Sequence, residues 1–380
     1  MKALTAFCPK SPDWNIDWEG IDRAFPWIQR LRSCPQDSIY HQEGDVWIHT
    51  RMVVESLAAL DSWRTLPDNE RVILFSAALL HDVAKPSSTR LDQQRITSRG
   101  HSLRGAIDAR CLLWEMGAPF AMREQICALV EHHQAPFNLI ERDDAARRVF
   151  RISQTACCGL LAQLARADAL GRVCDDQEEL LGKISLFEEL CREYECLELP
   201  CRFPSAHSRF EYFRSESRSP EYLAHEDFSC RVTVLSGLPG AGKDTWISRH
   251  MPGIPLVSLD ALRAELDEDA AGSQGRVVQA AREMARKFLR RHEDFVWNAT
   301  NLSRDLRTQV IDLLAAYRAH VRIVYVEAAP ESLVRQNKER TNPVPTGAIE
   351  RMLQRWQVPS PIEAQEVEYW IEGKACAMTF

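Results

Sequence analysis

Features typical of membrane and secreted proteins are missing from this sequence of 380 residues. It has no run of about 18 or more apolar residues, so we predict no membrane-spanning helix and no membrane partner. The first residues, MKALTAFCPKSPDW, contain no long apolar stretch and no small-residue cleavage pattern, which argues against a secretory signal. Together these absences predict a cytoplasmic protein.

The cysteines lack the spacing of a disulfide framework or a zinc–thiolate site. The chain has 12 cysteines, none of which forms a CxxC pair. Several lie in apolar helical patterns, where reduced and buried thiols are expected. We therefore predict free thiols.

An excess of positive charge is also missing. The formal net charge is −7, which argues against broad nonspecific binding to nucleic acid but permits a local basic groove. With 45% hydrophobic and 27% charged residues, the composition is that of a globular protein with ample core. The length alone predicts two or three domains.

The two halves of the chain differ in pattern. Up to about residue 200, apolar residues recur at three- and four-residue intervals, which predicts an all-α domain over 1–200. Residues 201–230 are polar, dotted with aromatics and without clear period, and we interpret them as an interdomain connection. Over 231–380, short β-branched runs alternate with helical segments, which predicts an α/β P-loop domain with a parallel sheet.

A glycine-rich loop follows the first of these predicted strands. The stretch GLPGAGK, residues 237–243, matches GxxxxGK and stands before a predicted helix. In such a loop the backbone N–H groups and the helix N-terminus bind phosphates, and the lysine reaches the β- and γ-phosphates of an NTP. The predicted nucleotide-binding residues are Gly237, Pro239, Gly240, Ala241, Gly242, Lys243, Asp244 and Thr245.

Asp244 stands where this pattern has a Ser or Thr that holds Mg²⁺. Its carboxylate is a hard oxygen ligand and could bind the ion directly or through water. Alternatively, Thr245 supplies a hydroxyl group, or Asp244 only stabilises the helix N-terminus electrostatically. The sequence leaves these alternatives open.

Two further groups predict a phosphoryl-acceptor site and a lid. Asp260 lies where a strand ends and a helix begins, a position from which a carboxylate can take a proton from an acceptor hydroxyl. Arg263, one helical turn later, would face the acceptor phosphate. Arg335 and Arg340, in ESLVRQNKERTNPVP, are spaced like cations of a lid over the transferring phosphoryl group.

Together, these features resemble the 5′-polynucleotide kinase branch of the P-loop phosphotransferases. The resemblance covers roughly residues 231–370 and includes NATN at 298–301. It implies that Asp260 is the general base, that Arg263 binds the acceptor phosphate and that Arg340 contacts the donor. The family's first lid arginine aligns with either Arg335 or Gln336.

The helical half carries a second set of residues. AALLHDVAKP places adjacent His81 and Asp82 towards the end of an apolar helix, with Lys85 one turn on. Imidazole and carboxylate ligands suit a divalent metal. The ordered set resembles the HD phosphohydrolase family, which implies that His49, the His81–Asp82 doublet and Asp168 are ligands.

The resemblance also implies that His101 and one histidine of EHH complete a two-metal site, for which we favour His133 over His132. His41 is interpreted as a metal ligand or a phosphate contact. Lys85 and Arg172 are predicted to contact substrate phosphate. Two divalent ions, such as Mn, Co, Ni, Cu or Zn, would polarise a phosphate ester and generate hydroxide.

Both halves together resemble bacterial fusions of an HD domain with a polynucleotide kinase, which heal nucleic-acid ends. This implies metal-dependent removal of a 2′(3′)-phosphate or 2′,3′-cyclic phosphate, and transfer of the γ-phosphate of ATP or another NTP to a 5′-hydroxyl with Mg²⁺. The implied partners are RNA or DNA ends and, functionally, a ligase. The rivals are an HD nucleotidase with a regulatory P-loop domain, the same nucleotidase with a small-metabolite kinase, and a non-enzymatic scaffold. The sequence does not predict the oligomeric state.

Overall fold

The computed structural model describes residues 2–93, 95–268, 275–340 and 342–378. The chain divides after Arg202 into two compact units. Among the described residues, no helix is both long and apolar enough to cross a membrane.

The first unit is built of helices and a short pair of antiparallel strands. It includes a 3₁₀ helix, Pro26–Arg30. The other elements are α1 Lys2–Phe7, α2 Trp18–Ala24, α3 Val46–Ala59, α4 Asp61–Arg64, α5 Asp68–Leu80, α6 Lys85–Ser88, β1 Arg90–Asp92, β2 Arg95–Thr97, α7 His101–Glu115, α8 Phe120–His132, α9 Ala135–Asn138, α10 Ala145–Ser153, α11 Cys158–Leu170 and α12 Gln177–Glu193.

Helix α5 is the central helix of this unit. All of its residues from Val72 to Leu80 are buried, so the helix has no solvent-facing side over its last nine residues. It packs against α3, α8 and α11. Because α3, α8 and α11 pack around α5, residues at the ends of these four helices come together in the interior of the unit.

The second unit is an α/β domain. A 3₁₀ helix, Pro361–Glu363, precedes its last two strands. The other elements are α13 Ala206–Arg214, β3 Cys230–Ser236, α14 Lys243–His250, β4 Leu256–Ser258, α15 Leu259–Glu265, α16 Gly275–Arg290, β5 Phe295–Asn298, α17 Arg304–Ala316, β6 Ala319–Glu327, α18 Pro330–Lys338, α19 Thr346–Leu353, β7 Glu366–Ile371 and β8 Lys374–Cys376.

The sheet of the second unit has the strand order β4-β5-β3-β6-β7-β8. All neighbouring strands are parallel except the β7–β8 pair, which is antiparallel. The predicted parallel α/β fold is therefore confirmed. The carboxyl ends of β3, β4 and β5 lie side by side, and this edge is where parallel sheets bind ligands.

The segment predicted as an interdomain connection contains the helix α13. Ser205 caps it by accepting a hydrogen bond from Ser208 N, and Phe210 enters the core beneath the sheet. Ser208, Phe210 and Tyr212 are buried, and the residues between them are partly buried. Burial in this short helix therefore does not follow a single face. The sequence therefore offers no 3.6-residue period, which is why the helix was not predicted.

Arg307, in α17, makes hydrogen bonds with the segment that follows β5 and with the segment that follows α19. Its guanidinium is fully buried and makes two contacts with Glu363, from Nε to Oε2 at 2.6 Å and from Nη2 to Oε1 at 3.0 Å. Its Nη1 donates to the carbonyl groups of Asn301 and Gln357. Burial raises the pKa of Glu363, but the Arg307 charge outweighs it, so the pKa is lowered overall.

We expect Arg307→Met to lower the free energy of unfolding by ~3–5 kcal/mol, because it leaves Glu363 buried without its charge partner. Since the folded pKa of Glu363 is lowered, the stability from this pair is present above the unfolded pKa and is lost as pH falls. The deficit of the variant should therefore shrink in acid. Urea unfolding at neutral and acid pH measures both effects.

Arg286→Met is the matched control, because Arg286 forms an exposed pair with Glu283. Such pairs contribute ~0–1 kcal/mol. Equal losses in the two variants would contradict a special role for the buried pair.

Candidate functional site

Six predicted metal ligands of the first unit lie together at helix ends. His49 belongs to α3, the His81–Asp82 doublet follows α5, and Asp168 lies near the end of α11. His101 begins α7, and His133 follows α8 directly. All six are at most 5% exposed.

The histidine rings are held by backbone carbonyl groups. Each Nδ1 lies at hydrogen-bond distance from a carbonyl oxygen: His81 from Ala78 at 2.8 Å, His133 from Val130 at 2.8 Å, His101 from Ser98 at 2.7 Å and His49 from Gly171 at 3.2 Å. A carbonyl oxygen only accepts, so each ring carries its proton on Nδ1 and presents the lone pair of Nε2. This is the usual arrangement of metal-bound histidines.

The Nε2 atoms face one another in two pairs. His49 and His81 are 3.3 Å apart, and His101 and His133 are 3.3 Å apart. Asp82 reaches both pairs, with Oδ2 at 3.2 Å from His81 and Oδ1 at 3.2 Å from His101. The Oδ1 atom is buried and accepts no hydrogen bond from the residues that the structure describes.

These donors fit two divalent cations. Facing lone pairs at 3.3 Å repel unless a cation lies near both, and a buried carboxylate oxygen without a donor needs a positive partner. The three-residue groups His49–His81–Asp82 and Asp82–His101–His133 each bring their ligand atoms within 4.8 Å of one another. Asp82 is common to both groups and would bridge the two ions.

Glu43 is a member of this site that the sequence did not predict. Its carboxylate lies 2.7 Å from His41 Nδ1 and 3.0 Å from His49 Nδ1, and accepts from Val173 N at 2.9 Å. It thereby orients both rings. Burial lowers the pKa of His41 to about 4, so this ring is neutral near pH 7. The only available signal was an acid two residues after His41, in HQEGD.

Lys85 and Arg172 were predicted to contact substrate phosphate, but their contacts here are with ligand carboxylates. Lys85 Nζ lies 2.7 Å from Asp82 Oδ2, and Arg172 makes a two-pronged contact with Asp168 at 2.9 and 2.7 Å. The partners are three or four residues apart, since Asp82 lies in the turn that joins α5 to α6, Lys85 begins α6, and Arg172 follows the end of α11. The cations compensate buried negative charge, and their contact with phosphate stays a prediction.

The two adjacent histidines at the end of α8 contact different parts of the unit. His133 belongs to the cluster, whereas the His132 ring lies 3.3 Å from Thr155 Oγ1. Neighbouring residues on a helix point about 100° apart, so only one of them can face the centre. The placement agrees with the preference for His133.

The second unit holds a cavity of about 1010 Å³ at the carboxyl edge of its sheet. Residues 239–245, which include Pro239, Gly240, Ala241 and Thr245, line it, and so do Asp260, Arg263 and Arg340. The predicted loop, acceptor pair and lid cation therefore lie around one space.

The loop backbone has the conformation that phosphate binding requires. Gly242, at φ +97°, stands directly before α14, so this helix starts with free N–H groups at the cavity. A Cβ at Gly237 would lie 2.2 Å from Val326 O, so only glycine fits this turn. Lys243 Nζ donates to the carbonyl groups of Gly237 and Leu238, both at 3.0 Å, and burial lowers its pKa to about 8.

Asp244 lies beside the end of β5. Its Oδ1 accepts a hydrogen bond from Asn298 Nδ2 at 2.7 Å, while the amide oxygen of Asn298 is buried without a hydrogen-bond partner in the described part of the chain. Carboxylate and amide oxygens at a phosphate loop suit Mg²⁺. Asn298, at the end of a strand, thus holds the Asp244 carboxylate in place, and the binding of Mg²⁺ by this carboxylate stays a prediction.

Asp260 lies between two arginines. Its Oδ1 is 2.5 Å from Arg263, and its Oδ2 is 3.0 Å from Arg340. Burial raises the pKa of Asp260, but the contact with Arg263 and the positive charges nearby lower it overall. The Asp260 side chain is 65% exposed and belongs to the cavity lining, so an acceptor can reach it.

Arg335 is exposed and does not line the cavity, whereas Gln336 does. Helix α18 thus turns Gln336 and not Arg335 towards the cavity, and the alignment of the first lid position stays a prediction. Arg351, His250 and Trp370 also line the cavity and were not predicted. Arg351 and Trp370 lie far from the loop in sequence, whereas His250 ends the helix that the loop begins and was missed because it has no place in the motif.

Comparison with known proteins agrees with both halves. A model described as an HD domain matches residues 46–170, and one described as an AAA domain matches residues 232–359. The chain joins an HD domain to a P-loop kinase-like domain. HD domains bind divalent metals and P-loop kinases use a nucleotide with Mg²⁺, which fits the two clusters of donors and the loop described above.

Curated relatives match a part of the chain. A multifunctional CCA protein of Ralstonia nicotianae is 30% identical over 185 residues, which cover 46% of this chain and 39% of the relative. A CC-adding tRNA nucleotidyltransferase of Thermus thermophilus is 31% identical over 172 residues, covering 44% of this chain and 36% of the relative. The chain thus spans well under half the length of these relatives.

A solved structure of a candidate kinase from Chloroflexus aurantiacus covers 38% of this chain and 87% of its own, with 15% identity and a TM-score of 0.33. A likeness at this score does not bear on the fold, which is described by the sheet order above.

We expect Asp82→Ala to abolish binding of both ions in the HD domain, because Asp82 belongs to both ligand groups. His133→Ala should retain about one ion, held by the other group. Mn²⁺ is the suitable probe, since it prefers oxygen and nitrogen ligands to thiolates. Equilibrium dialysis without nucleotide, followed by metal analysis, gives the ions per chain. Unchanged Mn²⁺ content in Asp82→Ala would refute the bridging position.

For the kinase-like domain, we expect Asp244→Ala to raise the Mg²⁺ concentration needed for half-maximal phosphoryl transfer. Asp244→Ser should recover part of the loss, because it restores the hydroxyl ligand of ordinary P-loops. A charge effect at the helix end is worth only ~0.3–1 kcal/mol and would leave the Mg²⁺ dependence flat. Thr245→Ala is the control, and superimposable magnesium titrations of wild type and Asp244→Ala would exclude Asp244 as a ligand.

Proposed function

We propose that this protein heals broken nucleic-acid ends with two active sites. The HD domain would remove a 2′(3′)-phosphate or open a 2′,3′-cyclic phosphate, and the P-loop domain would transfer the γ-phosphate of an NTP to a 5′-hydroxyl. The products, a 3′-hydroxyl and a 5′-phosphate, are the ends that a ligase joins. One kind of break, with both ends abnormal, thus explains why the two domains share a chain.

The position of Asp260 carries the kinase part of the proposal. Its exposed carboxylate shares a cavity with Lys243, and Arg340 contacts it directly. A domain that only senses NTP needs no base beside the phosphate loop, so this arrangement favours phosphoryl transfer over regulation. Asp260 is held ionised by its arginines and can accept the proton of an attacking hydroxyl.

In the proposed transfer, Lys243 and the loop N–H groups hold the donor phosphates, and Asp244 with Asn298 supplies oxygen ligands for Mg²⁺. Arg340, once the acceptor displaces it from Asp260, is free to neutralise charge on the transferring phosphoryl group. Arg263 would stay beside Asp260 and bind the acceptor phosphate. Each of these roles uses a side chain that lines the same cavity.

The HD part of the proposal depends on the two ligand groups that share Asp82. Two divalent ions there would polarise a phosphate ester and lower the pKa of bound water. Around them, Glu43 orients His49, and Lys85 and Arg172 balance the charge of the carboxylates. Their positive charges lie beside the ligands, where an incoming phosphate would approach.

Nucleic acid is the favoured substrate because of the relatives. One of the curated proteins that match is named a multifunctional CCA protein and another a CC-adding tRNA nucleotidyltransferase, and the second name refers to an RNA. A phosphorylated RNA end would serve the HD domain and a 5′-hydroxyl end the kinase domain. Small metabolites are the alternative acceptors, and the experiment below distinguishes them.

We expect Asp260→Asn to slow 5′-phosphorylation by ~10²–10⁴-fold while leaving NTP affinity nearly unchanged, as for loss of a general base. The assay uses [γ-³²P]ATP with a short 5′-hydroxyl oligonucleotide, in parallel with a 3′-phosphate oligonucleotide. Lys243→Ala is the control, since it should abolish phosphorylation and leave phosphatase activity near normal.

Weakened ATP binding as the main effect of Asp260→Asn would move this residue to donor binding. A wild-type protein that labels nucleosides but no oligonucleotide would favour the metabolite kinase. Loss of both activities in Lys243→Ala would show that the two sites are not separate.

A further inference from the structure

Three cysteines that are distant in sequence meet in the first unit. Cys158 begins α11, Cys191 lies in the last turn of α12, and Cys196 follows that helix. They are 0%, 0% and 1% exposed, and their sulfur atoms all lie within 4.8 Å of one another. The expectation that the cysteines lack a zinc–thiolate arrangement came from sequence spacing alone, which does not show the approach of α11 to α12.

The local backbone holds these sulfurs together. Glu195 has a φ of +52°, a left-handed conformation that is uncommon for a residue other than glycine. The resulting turn brings Cys196 back onto the helix end, where its N–H donates to Cys191 O at 2.8 Å. Gly159 N donates to Leu197 O at 2.8 Å and fixes this turn against the start of α11. The cluster is thus built by three separate constraints on the chain.

We propose that Cys158, Cys191 and Cys196 bind a thiophilic divalent ion of the Zn²⁺ type, at a structural site separate from the HD centre. Zinc–sulfur bonds of about 2.3 Å in a tetrahedron place the sulfurs roughly 3.8 Å apart, so the observed cluster needs only small shifts to hold the ion. Soft thiolate ligands select this class of metal over Mg²⁺ or Mn²⁺.

Cys201 is a further buried thiol near this group, although it does not belong to the three residues whose sulfur atoms lie within 4.8 Å of one another. Cys201 is 8% exposed, and its N–H donates to Ser153 Oγ at 3.1 Å. Burial first, and then the nearby sulfur of Cys196, raises the pKa of the Cys201 thiol to about 12. A bound cation would reverse this effect by stabilising the thiolate. Cys191, Cys196 and Cys201 recur at intervals of five residues, a spacing that the search for CxxC pairs overlooked.

The ion would act on the HD centre only through helix α11. Cys158 stands at one end of this helix and Asp168 near the other, roughly 15 Å away at a rise of about 1.5 Å per residue. Fixing the start of α11 against α12 would hold the register in which Asp168 reaches His49. The site is thus a positioning device, and its thiolates touch no substrate.

Cobalt substitution of the full chain tests the proposal. Co²⁺ bound by thiolates gives a sulfur-to-metal charge-transfer absorption in the near ultraviolet, which histidine and carboxylate ligands do not give. We expect about one such ion per chain. Cys196→Ser should weaken this binding by tenfold or more. Asp82→Ala should keep the absorption, since it alters only the HD centre.

Cys127→Ser is the matched control, because Cys127 is equally buried in α8 but, among the described residues, belongs to no group of three close ligand atoms. It should leave the absorption unchanged. Absence of the charge-transfer band in the wild type, or an unchanged band in Cys196→Ser, would overturn the proposal.

Thiol alkylation of the wild type provides a second measurement if Cys196→Ser does not fold. Zinc-loaded protein is treated before and after metal removal, and modified peptides are identified by mass spectrometry. We expect Cys158, Cys191 and Cys196 to react about tenfold faster once the ion is removed, whereas Cys127 stays unreactive. Equal rates before and after removal would contradict the site, and so would a disulfide within the cluster.

Discussion

The HD centre depends on the hydrogen bonds between its histidine rings and the backbone, because these bonds fix each ring proton on Nδ1. Four imidazoles crowded around one carboxylate would compete for protons if their tautomers were free. Each Nδ1 instead lies against a carbonyl oxygen, three of them within the same turn of chain. His81 and His133 share the device of a ring folded back onto the last helical turn. The lone pairs therefore converge before any ion arrives, and little reorganisation is needed for metal binding.

Much of the HD site could be predicted because its residues stand at the ends of amphipathic or buried helices. The order of His49, His81–Asp82, His101, His133 and Asp168 along the chain was sufficient to predict residues that the fold brings together, and their role as ligands stays a prediction. Glu43 was missed because it acts from a loop without periodic pattern. The choice between His132 and His133 required only the 100° step of a helix and the knowledge of which face is buried.

The kinase-like domain was predictable where strands end and helices begin. The loop at 237–245 and Asp260 follow strands that the β-branched runs indicate, Asn298 ends such a strand, and the parallel sheet brings these ends together. The lid was less predictable, because a run of charges in ESLVRQNKER does not show which side of α18 faces the cavity. Arg351 and Trp370 come to the cavity from distant parts of the chain, which no local sequence pattern predicts.

Helix α13 belongs to the second compact unit but lies outside the segment that matches the family model. The match to the AAA family begins at residue 232 and ends at 359, yet Phe210 lies in the core under the sheet, and β7 and β8 extend the sheet beyond that end. A fragment cut to the limits of the match would lose a buried aromatic side chain, whose removal typically costs ~3–5 kcal/mol, along with the outer strands. It would also lose Trp370 from the wall of the cavity. The segment that matches the family model is therefore shorter than the compact unit, and we expect an autonomous fragment of the second unit to need residues from about Phe203.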